Sequence, residues 1–217
     1  MARRTTALTR AVIRDAALEL IDEGGLDGLS MRKLAARLGV QAPSLYSHYT
    51  NKNDLLEDVA SAIMEHVDIS GFGAGWREGL IVWARSYRSA LGAHPNIVPF
   101  LAYGPSTREA SLRRADAVHG SLVGAGWPPR TATMIGASTK YLVVGAAMSS
   151  FASGFVDDVR VYHDRYPNLV QAHRIREHAD EIDRDSFELA LAAFVTGLDA
   201  MYAAANAAPE QADPSEH

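Results

Sequence analysis

The chain has 217 residues, of which 47% are hydrophobic and 22% charged, so it can bury a sizeable globular core. It contains no cysteine, which excludes disulfides, thiol nucleophiles and cysteine metal sites and favours a cytoplasmic location. No uninterrupted apolar run reaches the ~18 residues of a membrane span, so we expect no membrane partner.

Charge is distributed unevenly along the sequence. The formal net charge is −5, yet residues 1–52 carry eight Lys or Arg against five Asp or Glu. A basic end on an acidic chain indicates a polyanionic partner such as nucleic acid, and Arg3, Arg4 and Arg10 are expected to form a flexible basic arm. A chance excess of three charges is the alternative.

Helical periodicity covers almost the whole sequence and predicts an all-α fold. The first helix is expected to begin after Thr9 and to end at Gly24 and Gly25, and the second to run from its N-cap Ser30 to Gly39. A third helix is expected at about 42–49, and a fourth begins after an N-cap at Asn51 or Asn53. Further helices are expected at about 76–93, 96–103, 107–124, 128–152, 168–180 and 186–205.

The second and third helices have the spacing of a helix-turn-helix, with Ala35 four residues before the glycine turn at Gly39. A small residue permits a close helix crossing, and glycine supplies the unusual backbone angles of the turn. The residues expected to fill the small core are Leu34, Leu38, Val40 and Leu45.

The exposed face of the third helix has the chemistry of a DNA-reading surface. Polar and aromatic side chains there can reach base edges or phosphates, and the predicted contacts are Gln41, Ser44, Tyr46, Ser47 and His48. Lys52 is expected to clamp a phosphate, and Arg32 points towards the same surface. Alternatively, Tyr46 and Tyr49 are core aromatics, as we expect for Tyr49, and such a helix pair also occurs in bundles that bind nothing.

The stretch "LDGLSMRKLAARLGVQAPSLYSHYTNKNDLLEDVA" closely resembles the N-terminal domain of TetR-family transcriptional regulators, and within the family the tetracycline repressor branch. The resemblance covers roughly residues 8–64. It implies a three-helix DNA-binding domain on a homodimer, joined by the fourth helix to a ligand-binding domain. The positions that fall on the family's DNA contacts are Arg32, Gln41, Ser44, Tyr46, His48 and Lys52.

Three further positions in this stretch bear on the DNA that is read. Pro43 matches the proline that opens the family's recognition helix. Ala42 stands where tetracycline repressors have a glutamine that reads a base, and Ser47 replaces a bulky aromatic. The resemblance therefore implies the same docking mode on a different operator.

The C-terminal part is expected to bind an effector and to dimerise. Apolar residues at 187, 191, 194, 198 and 201 have the spacing of a coiled-coil seam, although such a stripe is equally typical of a core. In TetR-like proteins the last long helix and the helix near 128–152 pack against the partner's pair. The side chains predicted to contact a ligand are Trp83, Tyr87, Phe100, Tyr103, His119 and Tyr141, with a filled core as the alternative.

The resemblance also predicts which effector is not bound. Trp83 stands where the tetracycline repressors have a drug-contacting asparagine, and Phe100 falls near their magnesium-binding histidine. We therefore expect an apolar or aromatic effector, with no metal and no cofactor. Arg88, His94 and Asn96 are candidate polar anchors for it.

These observations predict a ligand-responsive repressor that releases a palindromic operator when its effector binds. The expected domains are residues 1–52 for DNA binding, 53–66 as a connecting helix, 67–208 for ligand binding and dimerisation, and 209–217 as a disordered tail. Two alternatives remain open, an activator or protein-binding role on the same fold and an enzyme. The enzyme is disfavoured because the sequence has no nucleophile elbow, phosphate loop or metal signature.

Overall fold

The structure, a computed structural model, describes residues 7–102, 109–148, 150–163 and 165–207. Every regular element in these ranges is a helix, as the periodicity predicts. The α-helices are α1 (Arg10–Gly28), α2 (Met31–Leu38), α3 (Ala42–Tyr46), α4 (Lys52–Glu65), α5 (Trp76–Ala93), α6 (Val98–Ala102), α7 (Glu109–Gly124), α8 (Pro129–Met148), α9 (Val159–Tyr162) and α10 (Ala179–Ala207). Short 3₁₀ helices lie at Ser70–Ala74, Pro95–Ile97, Ala152–Gly154 and Ala172–His178.

The chain forms two compact units. The first comprises the described parts of Met1–Asp68 and Arg85–Val118, and the second those of Ile69–Ala84 and His119–His217. The division at Asp68 lies close to the boundary expected between residues 66 and 67. However, the first unit also contains the end of α5, α6 and the start of α7, so it is larger than the helix-turn-helix alone.

Side-chain caps begin three of the helices in the first unit. Thr9 accepts a hydrogen bond from the amide of Val12, and Ser30 accepts one from Lys33, at 3.3 and 3.2 Å. Asn51, one of the two expected candidates, caps α4 by accepting from the amide of Asp54 at 2.9 Å. These caps satisfy backbone donors that a helix start leaves free, and they fix where each helix begins.

The turn between α2 and α3 depends on a left-handed glycine. Gly39 has φ +68°, and the next amide, that of Val40, donates to the carbonyl of Ala35 at 3.0 Å. Ala35 is buried beneath this turn together with Leu34 and Leu45. The expected turn is confirmed, whereas α3 is shorter than expected because it gives way to a turn after Tyr46.

The helix α1 differs from the expected one at its C-terminal end. It continues to Gly28 and is kinked at Gly25, whose φ is +69°. Asn96 follows α5 and donates its side-chain amide to the carbonyls of Ile21 and Asp22 at 3.1 and 2.9 Å. His94 Nδ1 lies 2.9 Å from the carboxylate of Asp22.

These contacts correct the interpretation of His94 and Asn96 as polar anchors for an effector. Both side chains are engaged by α1, Asn96 by two backbone carbonyls and His94 by the carboxylate of Asp22. Ile97 is fully buried in the core of the first unit, and Phe100 packs against the same core. The segment after α5 is thus part of the packing of the first unit.

In the second unit α8 and α10 pack together. Phe187, Leu191 and Leu198 are buried, so this part of the expected seam is core within the chain, and Met201 is 54% exposed. Instead of separate helices at 168–180 and 186–205, a 3₁₀ helix leads directly into α10. Core and coiled-coil stripes share the same three-four spacing, so spacing alone could not separate them.

An aromatic cluster joins three parts of the second unit. The ring of Trp127 lies 5.3 Å from that of Trp76 and 5.1 Å from that of Tyr202, measured between ring centroids. The hydroxyl of Tyr202 donates to the carbonyl of Ala125 at 2.5 Å. The cluster therefore connects the start of α5, the α7–α8 turn and the end of α10.

The helical run Ala172–Asn206 is long and apolar enough to cross a membrane, judged by length and composition alone. The expectation drawn from uninterrupted apolar runs missed it because polar residues are interspersed among its alanines. One of its faces packs on α8 in this chain. One such helix is weak evidence for a membrane span.

We predict that Gly39→Ala lowers the free energy of unfolding by about 1 kcal/mol, because a Cβ is disfavoured at positive φ. The space around Gly39 is open, so backbone strain is the only added cost. Gly120→Ala is the matched control: its site inside α7 is equally open, and alanine there should raise stability by about 0.5–1 kcal/mol. Urea unfolding followed by circular dichroism measures both, and an unchanged midpoint for Gly39→Ala would contradict the prediction.

Candidate functional site

The outer face of α3 is a preformed polar surface. Leu45 and Tyr49 point into the core of the first unit, which fixes the opposite face outward. The predicted DNA contacts on and around α3 that are exposed are Gln41, Pro43, Ser44, Tyr46 and Ser47. Pro43 lies in the first turn of α3, as predicted, where its missing N–H costs no hydrogen bond.

Individual side chains on this face differ in how free they are. The amide of Gln41 makes no capping bond, and the ring of Tyr46 is 53% exposed, so both can approach a partner. Ser47 Oγ donates to the carbonyl of Ser44 at 2.8 Å, which occupies its only donor but leaves it an acceptor. Ala42 is partly buried against the core, and His48 is half-buried.

Two cations flank α3. Arg32 is exposed at the start of α2 and makes no ion pair with a described residue. Lys52 is half-buried at the start of α4, and its Nζ donates to the carbonyl of Leu26 at 2.7 Å. An ammonium has three donors, so this bond orients Lys52 and leaves donors for a phosphate.

Arg10 does not belong to a flexible arm. It begins α1, and its guanidinium Nη1 donates to the carbonyl of His48 at 2.5 Å. The expectation of a basic arm is therefore wrong for Arg10, and Arg3 and Arg4 lie outside the described residues. Sequence reasoning missed this contact because it joins residues 38 positions apart.

Acidic side chains hold another basic residue away from α3. Arg37 on α2 contacts Glu19 and Glu23 on α1, at 3.2 and 2.5 Å. The hydrogen bond from Arg37 lowers the pKa of Glu23, and the same bond raises that of Arg37. This pairing fixes α2 on α1 and makes Arg37 a poor candidate for a phosphate contact.

Two of the predicted effector contacts lie four residues apart on α5 and are buried. They are Trp83, in the second unit, and Tyr87, in the first. Burial raises the pKa of Tyr87 to about 12, although the positive charge of Arg114 acts in the opposite direction. Burial likewise lowers the pKa of Arg114.

Arg114 is a residue that sequence reasoning passed over. The buried residues Val118 and Leu122 follow Arg114 at intervals of four, so a basic residue shares a helical face with apolar ones. A basic residue on an apolar face is the sequence signal by which Arg114 could have been found.

The other predicted effector contacts have different surroundings. Phe100 packs on the core of the first unit, and His119 Nε2 lies 3.2 Å from the carbonyl of Pro129. Tyr141 is 74% exposed on α8, so it does not line the interior of a single chain, and its contact with an effector stays a prediction. Tyr103 lies outside the described residues. Effector contact by Phe100 and His119 stays a prediction.

An apolar stripe on α8 is open to solvent. Met134, Tyr141 and Met148 recur every seven residues, and each is at least half exposed. Leu189 on α10 is 73% exposed in the same unit. Large apolar side chains that remain exposed in a regular stripe are typical of a surface that another protein covers.

Metal ligands are not assembled within the described ranges. No group of three or more His, Asp or Glu side chains there is placed to hold an ion. Two histidines lie close together in the sequence, at 173 and 178. The Nδ1 atom of His173 lies 3.0 Å from the carbonyl oxygen of Val170, and the side chain of His178 is exposed to solvent.

The chain is similar in sequence and in fold to known regulators. The profile described as "Bacterial regulatory proteins, tetR family" matches residues 13–59, and "Tetracyclin repressor-like, C-terminal domain" matches residues 72–202. The class A tetracycline repressor from transposon 1721 of Escherichia coli is 40% identical over 65% of this chain and 66% of its own length. The class G repressor of Vibrio anguillarum is 32% identical over 91% of this chain and 93% of its own length.

Coverage of these proteins varies. The chain spans about three fifths to two thirds of the length of the first curated relatives it matches. Among solved structures, the Streptomyces coelicolor TetR-family protein ActR in complex with (S)-DNPA has a TM-score of 0.72 at 26% identity, covering 90% of this chain and 98% of that one. Because the C-terminal profile alone spans more than half of the sequence, the chain belongs to the TetR family of bacterial regulatory proteins.

Proposed function

We propose that the chain is a ligand-responsive DNA-binding repressor. The observation that carries this proposal is the preformed outer face of α3, with Gln41, Ser44 and Tyr46 exposed on a helix that buried residues hold in place. Such a helix can enter the major groove, and polar side chains on it can read base edges. TetR-family regulators in general are non-enzymatic transcription factors, and we propose the same for this chain.

The repressor acts as a homodimer in this proposal. A palindromic operator needs two recognition helices related by two-fold symmetry, about one helical turn (~35 Å) apart. The exposed stripe of Met134, Tyr141 and Met148 supports a second copy as the partner of α8. Covering these side chains would remove apolar area from water, which favours association.

The effector that we propose is small and apolar or aromatic. Trp83 and Tyr87 support this class, because two large aromatic side chains follow one another along a face of α5. ActR, which shares the fold, has been solved in complex with (S)-DNPA. Binding that favours one conformation of the dimer would lower its operator affinity, and a coupling of ~1–3 kcal/mol is sufficient.

The predicted division of the chain stays part of the proposal. Residues 1–52 and the connecting helix at 53–66 would bind DNA and transmit the response, and 67–208 would bind the effector and dimerise, in the cytoplasm. The division into compact units supports a boundary near Asp68. An activator role on the same fold would appear as increased transcription of a regulated promoter.

The direct test is selection of duplexes from a random pool, followed by electrophoretic shift with the enriched sequence. We expect enrichment of a palindrome and a shift that weakens steeply with salt. Compounds with fused or substituted aromatic rings should then release the complex. No enrichment, or a shift that does not depend on sequence, would refute the proposal.

Arg32→Ala and Lys52→Ala should each weaken binding and reduce the slope of log affinity against log salt by about 1, because each removes one phosphate contact. Arg174→Ala is the matched control, since Arg174 is an exposed arginine in the second unit. Filter binding at four salt concentrations measures the slopes. If Lys52→Ala lowered stability but left the slope intact, its bond to Leu26 would be its only role.

Gln41→Ala should relax base preference more than it lowers total affinity. A side chain that reads a base edge contributes about 1–3 kcal/mol of discrimination. Repeating the selection with the variant measures this directly. We expect one position in each half-site to lose its preference, and an unchanged consensus would exclude Gln41 as a base contact.

Tyr141→Lys should convert the dimer to a monomer, because it places a charge in the proposed apolar interface. Light scattering after size exclusion would then give one chain mass of 23.4 kDa in place of twice that value. Leu112→Lys is the control, since Leu112 is also about half exposed but lies on α7. A dimeric Tyr141→Lys variant would show that another surface mediates association.

A further inference from the structure

Arg10 is the first residue of α1. Its side chain contacts both the turn that follows α3 and the helix α4. Its guanidinium carbon is 4.1 Å from the centre of the Tyr49 ring. Its Nη1 donates to the carbonyl of His48, and its Nη2 lies 3.5 Å from the carboxylate of Asp58 and 3.8 Å from that of Asp54. A planar guanidinium can stack on a ring and donate in its own plane at the same time, which an ammonium cannot do.

Tyr49, which lies in the turn after α3, contacts both α1 and α4. Its buried hydroxyl donates to the Asp58 carboxylate at 2.6 Å and lies 3.0 Å from the carbonyl oxygen of Arg10. Burial, followed by the hydrogen bond to Asp58, raises the pKa of Tyr49, so the phenol keeps its proton at neutral pH. The hydroxyl thus remains a donor to α4.

The segment between Tyr49 and α4 is also fixed. Asp54 accepts a hydrogen bond from the amide of Thr50 at 3.0 Å, and Asn51 caps the amide of Asp54. Asp54 and Asp58 lie one turn apart on α4, so both carboxylates face the guanidinium of Arg10. Their negative charges offset its positive charge, which makes Arg10 less available to a phosphate.

We propose that Arg10 is a positioning residue for DNA recognition, which sets the angle of α3 by binding the His48 carbonyl, the Tyr49 ring and Asp58 without itself contacting the duplex. The inference rests on the proposed DNA binding. A shift in the angle of α3 would misalign its base contacts, while phosphate contacts elsewhere on the surface would persist. Loss of Arg10 should therefore reduce specific binding selectively.

The experiment compares Arg10→Lys and Arg10→Ala with the wild-type chain on two duplexes, the selected one and a scrambled one of equal length. Lysine keeps the charge but not the planar contacts. We expect both variants to bind the selected duplex about tenfold more weakly, the size of one lost base contact. Affinity for the scrambled duplex and the salt slope should stay unchanged.

Two further variants complete the design. Arg14→Lys is the matched control, because Arg14 lies on the same helix and pairs only with its exposed neighbour Asp15 among the described carboxylates. Tyr49→Phe keeps the ring beneath Arg10 and removes the bond to Asp58. We expect a smaller loss of the same selective kind, and this variant carries the test if substitution of Arg10 prevents folding.

The outcomes separate this inference from the proposed function. Suppose that Arg10→Lys binds as the wild type does, whereas Arg10→Ala binds both duplexes more weakly and its slope of log affinity against log salt is smaller by about 1. Arg10 is then a phosphate contact, and the inference is wrong. An equal loss on both duplexes with a lower urea midpoint, or no loss in any variant including Tyr49→Phe, also overturns it. If the wild-type chain enriches no sequence, the proposed function fails and this inference fails with it.

Discussion

The helix that presents the candidate DNA-reading face is only five residues long, and contacts outside the helix hold it in shape. An isolated helix of fewer than about 12 residues is marginal in water, so α3 cannot rely on its own hydrogen bonds. Burial of Leu45 and Tyr49, together with the left-handed turn at Gly39, supplies the missing stabilisation. The polar face of α3 is therefore as well defined as the core beneath it.

The same dependence explains how much of this domain could be predicted from the sequence. Ser30, Gly39 and Pro43 act on their immediate neighbours, so residue type and spacing were enough to place the turn and both helix starts. The contacts of Arg10 and Asn96 join residues far apart in the chain, and no local pattern encodes them. Arg10 looked like part of a basic arm because charge was the only visible property.

The C-terminal part was predicted less well for a related reason. An apolar stripe at three-four spacing is the same pattern whether a helix packs within its own chain or against another. In α10 the stripe that includes Phe187 and Leu191 is buried by packing within the chain. The exposed apolar residues of α8 instead recur every seven residues, a spacing that a core helix shows as well. Aromatic residues in the sequence likewise indicate burial, but they do not distinguish a site filled by core side chains from one filled by a ligand.

The aromatic cluster of the second unit has a practical consequence for spectroscopy. The chain has three tryptophans, and all of them, Trp76, Trp83 and Trp127, belong to the second unit, two within the cluster itself. Emission excited at the red edge of the indole band therefore reports on that unit alone, whereas the helix-turn-helix contributes only tyrosine. This natural labelling lets the unfolding of the second unit be followed without any added dye. A signal from the whole chain, recorded beside it, reports on the unfolding of both units.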